Sequence, residues 1–309
     1  MHLRDLEDPV PGPKQLLVRI EAVGVNFIDI YLRRGLYKVA SYPYVPGLEA
    51  AGTVLALGEG VTEFRVGDRV AACNIVGAYA EKALVAADRA VPVPPAIDLE
   101  AAAAVLLQGM TAHYLVESTF PLAPGQRCLV HAAAGGVGLL LCQLARRRGA
   151  RVIATVSSEE KAKLARAAGA EAVIDYSSQD FAQEVARWTD GAGLEVVYDS
   201  VGRSTFDASL RCLAPRGTLV LYGQSSGPVP PVDPQVLAHG GSLYLTRPVL
   251  GHYTQTRDEL LGRARDLFSW MAARELEVKI GRSLPLAEAA RAHELLESRA
   301  TVGKVLLLP

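Results

Sequence analysis

The sequence predicts an α/β protein in which a doubly wound parallel sheet is inserted into a β-rich domain. Residues 1 to about 110 contain short strand-like runs separated by turn residues, and from about residue 126 strand-like runs alternate with helical ones. The chain then closes on a strand over residues 305–308. Because alternating strands and helices form parallel sheets, we expect the α/β domain at residues 111–249 and the β-rich domain at residues 1–110 and 250–309.

The β-rich character of the first part rests on short apolar runs bounded by turns. Residues 16–20 and 52–57 are strand-like, because they are rich in aliphatic side chains and lie between glycine and proline clusters. Turns are predicted at residues 11–13 and 58–60, each of which contains glycine. The proline-rich segment 92–95 marks the exit from this region.

Five strands are predicted in the α/β part, at residues 128–131, 151–156, 172–175, 194–199 and 217–222. Helical segments separate them, the first ending near Arg148 and the second running through residues 161–168. In the tail, Thr256 and Glu259 are spaced as a capping box, which predicts the start of a helix. A second tail helix is predicted over residues 287–296, before the closing strand.

Charge and composition argue against several classes of partner. The 309 residues include 32 Lys and Arg against 33 Asp and Glu, and a net charge of -1 gives no electrostatic reason to expect nucleic acid or an anionic membrane. No apolar run reaches the roughly 20 residues of a membrane span, and the charged N-terminus does not resemble a signal peptide. The four cysteines form no CxxC pair, so we expect free, buried thiols in a cytoplasmic protein.

The strongest local motif is the segment 131–138, HAAAGGVG, which follows a predicted strand and opens a helix. Aligned to G-x-G-x-x-G, its key positions are Ala133, Gly135 and Gly138. The middle glycine would let the backbone approach a pyrophosphate, and the last would permit close packing of helix on strand. A glycine-rich turn without a ligand is the alternative, but the surrounding strand–helix–strand context favours a dinucleotide.

The tip of the second predicted strand indicates which dinucleotide is bound. NAD-binding proteins usually place a carboxylate there for the ribose 2′-hydroxyl, whereas this chain has Ser157 and Ser158. Lys161 follows one turn later, and Tyr176 follows the third strand. Hydroxyls and an ammonium suit a 2′-phosphate, so we expect NADPH. Residues 159–160, both Glu, are the contrary feature, although acids in the first turn of a helix need no further explanation.

With these motifs in hand, the chain resembles the zeta-crystallin type of quinone oxidoreductase, in the zinc-independent branch of the medium-chain dehydrogenases/reductases. The resemblance covers essentially all 309 residues and is carried by the segments 24–29, 46–52, 66–70, 131–138, 199–202, 242–248 and 297–301. It implies a Rossmann NADPH-binding domain inserted in a GroES-like catalytic domain.

The resemblance also implies that no metal is bound. Zinc-dependent relatives carry Cys where this chain has Asn26, and His where Leu48 precedes Glu49. Asn and Leu cannot replace a thiolate and an imidazole as zinc ligands. The six histidines form no spaced ligand pair, so we expect them to be surface or core residues.

Site residues carried over from the family fall into two sets. The resemblance implies cofactor contacts at Asn26, Thr111, Gly135, Val137, Gly138, Ser157, Lys161, Tyr176, Ser200, Tyr222, Gly223, Ser225 and Arg299. The implied substrate contacts are Asn26, Tyr31, Tyr37 and Arg247. Each has a structural alternative: Tyr176 could cap the sheet, Thr111 a helix, and Arg299 could be a solvated helix-end cation. Likewise, the two tyrosines could be core residues and Arg247 could pair with a carboxylate.

The implied chemistry is transfer of a hydride or electrons from NADPH to a small quinone. A quinone is already electrophilic, so orientation and exclusion of water would supply much of the rate. A Tyr hydroxyl or Arg could stabilise the developing oxyanion, and water could supply the proton. No Ser-His-Asp triad is expected.

Two other functions remain open at this point. Related reductases act on enones or enoyl thioesters with a tyrosine placed much like Tyr37. A non-enzymatic, crystallin-like or RNA-binding role has the least support, because no basic patch or aromatic RNA-binding motif is visible. We also expect a homodimer, because residues 241–246 would form a strand at the edge of the parallel sheet, where two edges can pair across a two-fold axis.

Overall fold

Two sheets organise the chain, and each belongs to a different unit. The computed structural model describes residues 1–309. One unit consists of Met1–Met110 together with Tyr253–Pro309, and the other of Thr111–His252. We call them the first and the second unit.

Thirteen strands and nine α-helices make up these units. The strands are β1 (Gln15–Val25), β2 (Glu49–Leu57), β3 (Arg69–Cys73), β4 (Lys82–Ala86), β5 (Val91–Pro92), β6 (Arg127–Val130), β7 (Arg151–Val156), β8 (Ala172–Asp175), β9 (Leu194–Asp199), β10 (Leu213–Leu221), β11 (Tyr244–Thr246), β12 (Ile280–Pro285) and β13 (Lys304–Leu308). The helices are α1 (Phe27–Arg33), α2 (Leu99–Tyr114), α3 (Gly136–Arg147), α4 (Glu159–Ala167), α5 (Phe181–Trp188), α6 (Phe206–Arg211), α7 (Gln235–His239), α8 (Arg257–Ala272) and α9 (Ala289–Glu297).

The sheet of the first unit is mostly antiparallel. Its strand order is β12-β13-β1-β2-β3-β5, with β4 also paired to β1. The strand β1 pairs with β4 through its first half and with β13 through Val23–Val25. Thus the last strand of the chain lies beside the first strand, and a core of aliphatic side chains including Leu16, Val54 and Leu307 packs against the sheet.

The sheet of the second unit is parallel, in the order β11-β10-β9-β6-β7-β8. Its central strands are almost wholly buried, as expected when helices cover both faces. The fold class predicted from the sequence is therefore confirmed. Strands β7, β8 and β9 have the predicted bounds, while β6 ends one residue early, at Val130, and β10 begins at Leu213 rather than at residue 217.

The predicted helix starts in the tail are also found. The Thr256 hydroxyl accepts from the Glu259 N–H, and the Glu259 carboxylate accepts from the Thr256 N–H, which is the capping box that begins α8. The second tail helix, α9, begins at Ala289, because a 3₁₀ turn over Leu286–Glu288 precedes it.

Two helices of the first segment were not predicted. Residues 1 to about 110 were expected to be β-rich, and this is wrong over α1 and over α2, the second of which continues in a π-helical turn over Leu115–Thr119. The 21-residue helical segment Leu99–Thr119 contains an 18-residue window with a mean hydropathy of 1.2, enough by length and composition alone to cross a membrane. However, 78% of that window is buried inside the fold, as in the core helix of a globular protein.

Candidate functional site

The predicted cofactor residues of the second unit collect at one edge of its sheet. Because the strands are parallel, their carboxyl ends meet at that edge. Apart from Thr111, which is buried in α2, each predicted residue of this unit lies in a segment that follows a strand end. After β6 come Gly135, Val137 and Gly138; after β7, Ser157 and Lys161; after β8, Tyr176; after β9, Ser200; after β10, Tyr222, Gly223 and Ser225; after β11, Arg247.

The order of the strands locates a crevice at this edge. From β6 the chain moves outward through β7 and β8, whereas β9, β10 and β11 lie on the other side. The reversal falls between β6 and β9, where the His131 N–H donates to the Tyr198 carbonyl at 3.1 Å. In open α/β sheets, ligands bind at such a reversal, outside the carboxyl ends of the strands.

The helix that begins at this crevice has an N-terminus that no side chain caps. Its N-cap is Gly135, which has no side chain to accept from the first amides, and its first turn contains no acid. By contrast, the Ser158 side chain caps α4 and the Asp180 carboxylate caps α5. The first amides of α3 and its dipole are therefore available to an anion, which fits the pyrophosphate of a dinucleotide.

Close packing at the third glycine supports the same interpretation. A Cβ atom at Gly138 would lie 2.4 Å from the Ala132 carbonyl oxygen and 2.7 Å from the Ala133 Cα. Only glycine allows α3 to start this close to the loop that leaves β6. The loop itself turns at Ala132, whose φ of 49° lies in the left-handed region.

A corner of hydroxyl and ammonium groups adjoins the ends of β7 and β8. The Lys161 ammonium donates to the Ser157 hydroxyl at 3.1 Å. The Tyr176 N–H donates to the Val156 carbonyl at 3.0 Å, which places Tyr176 beside Ser157. The Glu159 carboxylate is engaged by Arg166 at 2.8 Å. The corner thus presents donors and no carboxylate at the tip of β7, and the Asp175 carboxylate that ends β8 is engaged by Ser177. This arrangement suits a 2′-phosphate better than a 2′-hydroxyl.

The loops after β9 and β10 lie against each other on the other side of the crevice. The Ser225 N–H donates to the Ser200 carbonyl at 3.1 Å, and a Cβ at Gly223 would lie 2.5 Å from that same oxygen. The structure therefore brings Ser200, Gly223 and Ser225 together, with Tyr222 held by a 2.8 Å hydrogen bond to the Asp199 carbonyl.

A buried polar network beneath these loops was missed in the sequence. The Asp199 carboxylate, fully buried, accepts from the N–H groups of Val201 and Gly202 and from the Ser209 hydroxyl. The His131 imidazole bonds to Ser209 at 3.0 Å and to the Thr155 hydroxyl at 2.9 Å, and burial lowers the pKa of His131. His131 is thus one of the expected core histidines, and it ties the loop after β9 to the strands beside it.

Three predicted residues lie on or after helices of the first unit. Tyr31 is on α1, and its ring packs edge-on against Tyr37 with centroids 5.6 Å apart. Both rings are partly exposed. Arg299 is exposed and follows α9 with a φ of 59°, a left-handed residue past a helix end. The positions of Tyr31, Tyr37 and Arg299 do not test whether these residues contact a ligand, so those contacts remain predictions.

Asn26, the N-cap of α1, has all four hydrogen-bonding positions of its side-chain amide occupied. Its Nδ2 donates to the Glu49 carboxylate at 2.8 Å and to the Gly24 carbonyl at 3.0 Å. Its Oδ1 accepts from the Lys304 ammonium at 2.8 Å and from the Gln108 amide at 3.2 Å. The residue is 4% exposed, so this network fixes its orientation and leaves no free donor or acceptor.

The Glu49–Lys304 ion pair behind Asn26 was also missed. Both side chains are 0% exposed, and the Lys304 Nζ lies 2.5 Å from the Glu49 Oε2. The other carboxylate oxygen accepts from the Leu107 N–H at 2.6 Å. A divalent cation does not fit here, because an ammonium already lies against both Asn26 and Glu49, and no cluster of three His, Cys, Asp or Glu side chains occurs elsewhere in the chain.

Asp29, Tyr79 and His293 form a second buried group next to this pair. The Tyr79 hydroxyl donates to the Asp29 carboxyl at 3.2 Å and lies 2.9 Å from the His293 Nε2. Burial raises the pKa of Asp29 to about 7 and lowers that of His293 to about 4. Nothing in the local sequence around these residues distinguishes them, because they are brought together only by tertiary packing.

Comparison with known proteins assigns both units. Residues 12–95 match the family described as alcohol dehydrogenase GroES-like domain, and residues 136–263 match the family described as zinc-binding dehydrogenase. A quinone oxidoreductase of Pseudomonas aeruginosa is 48% identical over 100% of this chain and 95% of its own length. A 2-haloacrylate reductase of a Burkholderia species is 44% identical over 97% of this chain and 92% of its own.

Among solved structures, the quinone oxidoreductase of Escherichia coli complexed with NADPH superposes with a TM-score of 0.98. It is 44% identical, and the match covers 100% of this chain and 95% of that one. With the parallel sheet, the glycine-bearing loop and the GroES-like unit all in place, the chain belongs to the quinone oxidoreductase family of the medium-chain dehydrogenases/reductases.

Proposed function

We propose that this protein is an NADPH-dependent quinone reductase. The observation that carries the cofactor assignment is the crevice of the second unit. An uncapped helix N-terminus lies at the same sheet edge as a corner of Ser157, Lys161 and Tyr176, and the tip of β7 has no carboxylate. Quinone oxidoreductases at 48% and 44% identity over nearly the whole chain support the substrate class.

Bound NADPH would supply the hydride, and the residues of the chain bind and orient it. The first amides of α3 receive the pyrophosphate, and Lys161 pairs with the 2′-phosphate through a charge-assisted hydrogen bond. The loops that carry Ser200, Tyr222, Gly223 and Ser225 hold the remaining part of the dinucleotide. Cofactor contacts of Thr111, Val137 and Arg299 are retained as part of this proposal. The Asn26 contact is also retained, as one of packing, because its amide is fully hydrogen-bonded within the protein.

The quinone is assigned to Tyr31, Tyr37 and Arg247, with Asn26 held in a single orientation by Glu49 and Lys304. A tyrosine hydroxyl or a guanidinium can donate to the oxygen on which negative charge develops. The edge-on contact of the two rings, 5.6 Å between centroids, restricts their rotamers and so favours a preorganised site.

The competing substrate class is an activated alkene, and a direct rate comparison separates the two. Initial rates of NADPH oxidation would be measured with 1,4-benzoquinone, a naphthoquinone, 2-chloroacrylate and crotonyl thioester. We expect kcat/KM for a quinone to exceed that for either alkene at least ~10-fold, a difference of about 1.4 kcal/mol in transition-state binding. An alkene that is turned over faster than both quinones would overturn the assignment.

We also propose that the protein is a cytoplasmic homodimer joined through β11. This strand pairs with β10 on one side only, and its Tyr244 and Leu245 side chains are 62% and 36% exposed. An unpaired edge with exposed apolar side chains is covered when two copies pair across a two-fold axis. Light scattering at micromolar concentration should give the mass of a dimer; a monomeric mass would refute this part of the proposal.

A further inference from the structure

Asp29, Tyr79 and His293 form a continuous hydrogen-bonded chain inside the first unit. The Tyr79 hydroxyl lies between the other two, 3.2 Å from the Asp29 Oδ2 and 2.9 Å from the His293 Nε2. The three side chains come from α1, from the segment before β4 and from α9. Their exposures are 1%, 8% and 0%, so three groups that can gain or lose a proton are linked out of contact with bulk water.

Each end of this chain carries a polar atom without a partner. Asp29 Oδ1 at one end and His293 Nδ1 at the other are buried and make no hydrogen bond. An unsatisfied buried polar atom costs about 1–3 kcal/mol, and such atoms are uncommon in folded proteins. A purely structural network would be expected to satisfy its ends. A path for protons, by contrast, needs an unpartnered atom at each end, because a proton has to leave at one end and enter at the other.

The two neighbouring carboxyl groups, those of Glu49 and Asp29, differ in whether a cation is hydrogen-bonded to them. Lys304 is the one buried ammonium next to Asp29 and Glu49, and it is hydrogen-bonded to Glu49 at 2.5 Å. Asp29 receives only neutral donors, the Asn26 N–H and the Tyr79 hydroxyl. Burial consequently raises the pKa of Asp29 from 3.8 to about 7, so the acid keeps a proton that it can give up near neutral pH.

Other charged and titratable groups face the chain from neighbouring elements. Lys304 on β13 lowers the pKa of Asp29, and Glu49 on β2 raises it. The buried hydroxyl of Tyr44 has no hydrogen-bond partner. Its own burial, and to a smaller extent Asp29, raises the pKa of Tyr44. On the helices, Arg33 of α1 lowers the pKa of His293, while Glu297 of α9 raises it. Since burial is the largest influence on His293, its imidazole stays neutral at pH 7.

Quinone reduction needs a proton source of this kind. Forming a hydroquinone takes up one hydride, which carries both electrons, and one proton. Asp29 lies one turn after Asn26, and its carboxyl accepts the Asn26 N–H at 2.8 Å. We propose that Asp29, Tyr79 and His293 are a proton relay that supplies the proton consumed when the quinone is reduced. This inference rests on the proposed function.

The transfer balances without any further reactant. The O–H bond at Asp29 breaks, and an O–H bond forms on the hydroquinone oxygen. The Tyr79 hydroxyl then returns a proton to the Asp29 carboxylate as it takes one from the His293 Nε2. His293 regains a proton at Nδ1 from water that reaches it when the unit opens locally, which leaves its net charge unaltered. Exchange of this proton for one at Nε2 during such opening restores the starting tautomer before the next turnover. One proton is taken from solvent for each quinone reduced, and no electrons pass through the relay.

The premise of a titrating buried acid is tested first on the protein alone. In infrared difference spectra between about pH 5 and pH 9, the wild type should lose a protonated carboxyl band near neutral pH, and Asp29→Asn should lack that band. Stability gives a second readout, taken as the difference between the wild type and Asp29→Asn. Between pH 4 and pH 7 the folded wild type keeps the Asp29 proton that the unfolded chain has released, whereas His293, with its pKa lowered to about 4, acts in the opposite direction in both proteins. Relative to Asp29→Asn, the free energy of unfolding of the wild type should therefore fall as pH rises.

The relay itself is tested with three isosteric or near-isosteric variants, Asp29→Asn, Tyr79→Phe and His293→Gln. Tyr198→Phe is the matched control for Tyr79→Phe, because Tyr198 is also buried but lies in the core of the second unit and outside the relay. The kcat for a quinone would be measured against pH in light and heavy water, with NADPH affinity measured by nucleotide fluorescence.

In the wild type and in Tyr198→Phe, kcat should fall as pH rises through about 7, because the donor loses its proton, and should be slower in heavy water. In Asp29→Asn, kcat should drop about 100-fold and lose this pH dependence, while NADPH affinity and KM stay the same. Tyr79→Phe and His293→Gln should keep the first turnover and slow the later ones.

Two results would overturn the relay while leaving the proposed function intact. One is an Asp29→Asn variant whose kcat, pH profile and heavy-water effect are the same as those of the wild type. The other is an infrared spectrum without a carboxyl that titrates near neutral pH. Failure of the wild type to reduce any quinone, despite normal NADPH binding and the titrating carboxyl band, would instead reject the proposed function.

Discussion

Removing the Lys304 ammonium should destabilise the first unit severely, and removing its partner as well should restore much of the loss. The Lys304–Glu49 pair has both side chains 0% exposed and a 2.5 Å contact. In Lys304→Met, the Glu49 carboxylate keeps only the Asn26 amide and the Leu107 N–H as donors. A buried charge deprived of its partner costs about 3–5 kcal/mol.

The double variant Glu49→Gln/Lys304→Met has no buried charge, so it should lose less than the sum of the single changes. We expect a coupling energy of roughly 2–4 kcal/mol. The matched control is the pair Glu184–Arg187 on α5, which has a contact of 2.6 Å but side chains 22% and 66% exposed. The same cycle there should give about 0.5 kcal/mol or less, because water screens the pair.

The two tryptophans allow the assay to follow each unit separately. Trp188 lies on α5 in the second unit and Trp270 on α8 in the first. In a Trp188→Phe background, urea unfolding monitored by tryptophan fluorescence reports the first unit alone, and in a Trp270→Phe background it reports the second unit, which contains the control pair. A cost below about 1 kcal/mol for Lys304→Met, or additive single changes, would refute the interpretation of the pair as fully desolvated.

Two further predictions concern the glycine-bearing loop and the thiols. Gly138→Ala places a Cβ 2.4 Å from the Ala132 carbonyl oxygen, so the loop must shift; thermal melts should show a loss of about 1–3 kcal/mol and titrations weaker NADPH binding. Gly262→Ala, where a Cβ meets nothing within 4 Å, should instead stabilise by roughly 0.5–1 kcal/mol, and a similar effect of both changes would contradict the steric argument. All four cysteines are buried, and burial raises the pKa of each thiol above its ordinary range, so a thiol reagent should label the native protein far more slowly than the unfolded chain; fast native labelling would show that a thiol is accessible.

The parallel sheet, and the edge at which the predicted cofactor residues lie, were largely predictable from the sequence. Strands β7, β8 and β9 are short apolar runs bounded by turn residues, so their limits are visible locally. Once the strands are known to be parallel, the residues that directly follow each strand must lie at one edge of the sheet. For this reason Ser157, Lys161 and Tyr176 could be grouped from the sequence alone.

Helix α2 escaped prediction for a physical reason. Amphipathic helices are recognised by an apolar stripe with a period of 3.6 residues, whereas α2 is buried on nearly all sides and has no polar face. Its run of Ala and Leu was the available signal, since these residues favour helices.

The polar groups beneath the substrate side could not be assembled from the sequence. Asn26, Glu49 and Lys304 are separated by as many as 278 positions, and their contacts arise because β13 returns to pair with β1. A partial signal did exist: Lys304 precedes the apolar run 305–308, and Glu49 lies in an apolar segment, where a charge is buried only with a partner. The partner itself needed the structure.

The central claim, that the edge of the parallel sheet holds NADPH through its 2′-phosphate, is tested most directly by titrating wild type, Lys161→Ala and Lys163→Ala with NADPH and NADH. Lys163 lies on the same helix as Lys161 but is exposed, so it controls for loss of a positive charge. We predict that wild type and Lys163→Ala bind NADPH at least ~10-fold tighter than NADH, and that Lys161→Ala loses this preference, since a charge-assisted hydrogen bond contributes about 1.5–3 kcal/mol. Equal binding of the two nucleotides by the wild type, or a preference for NADH, would contradict the account.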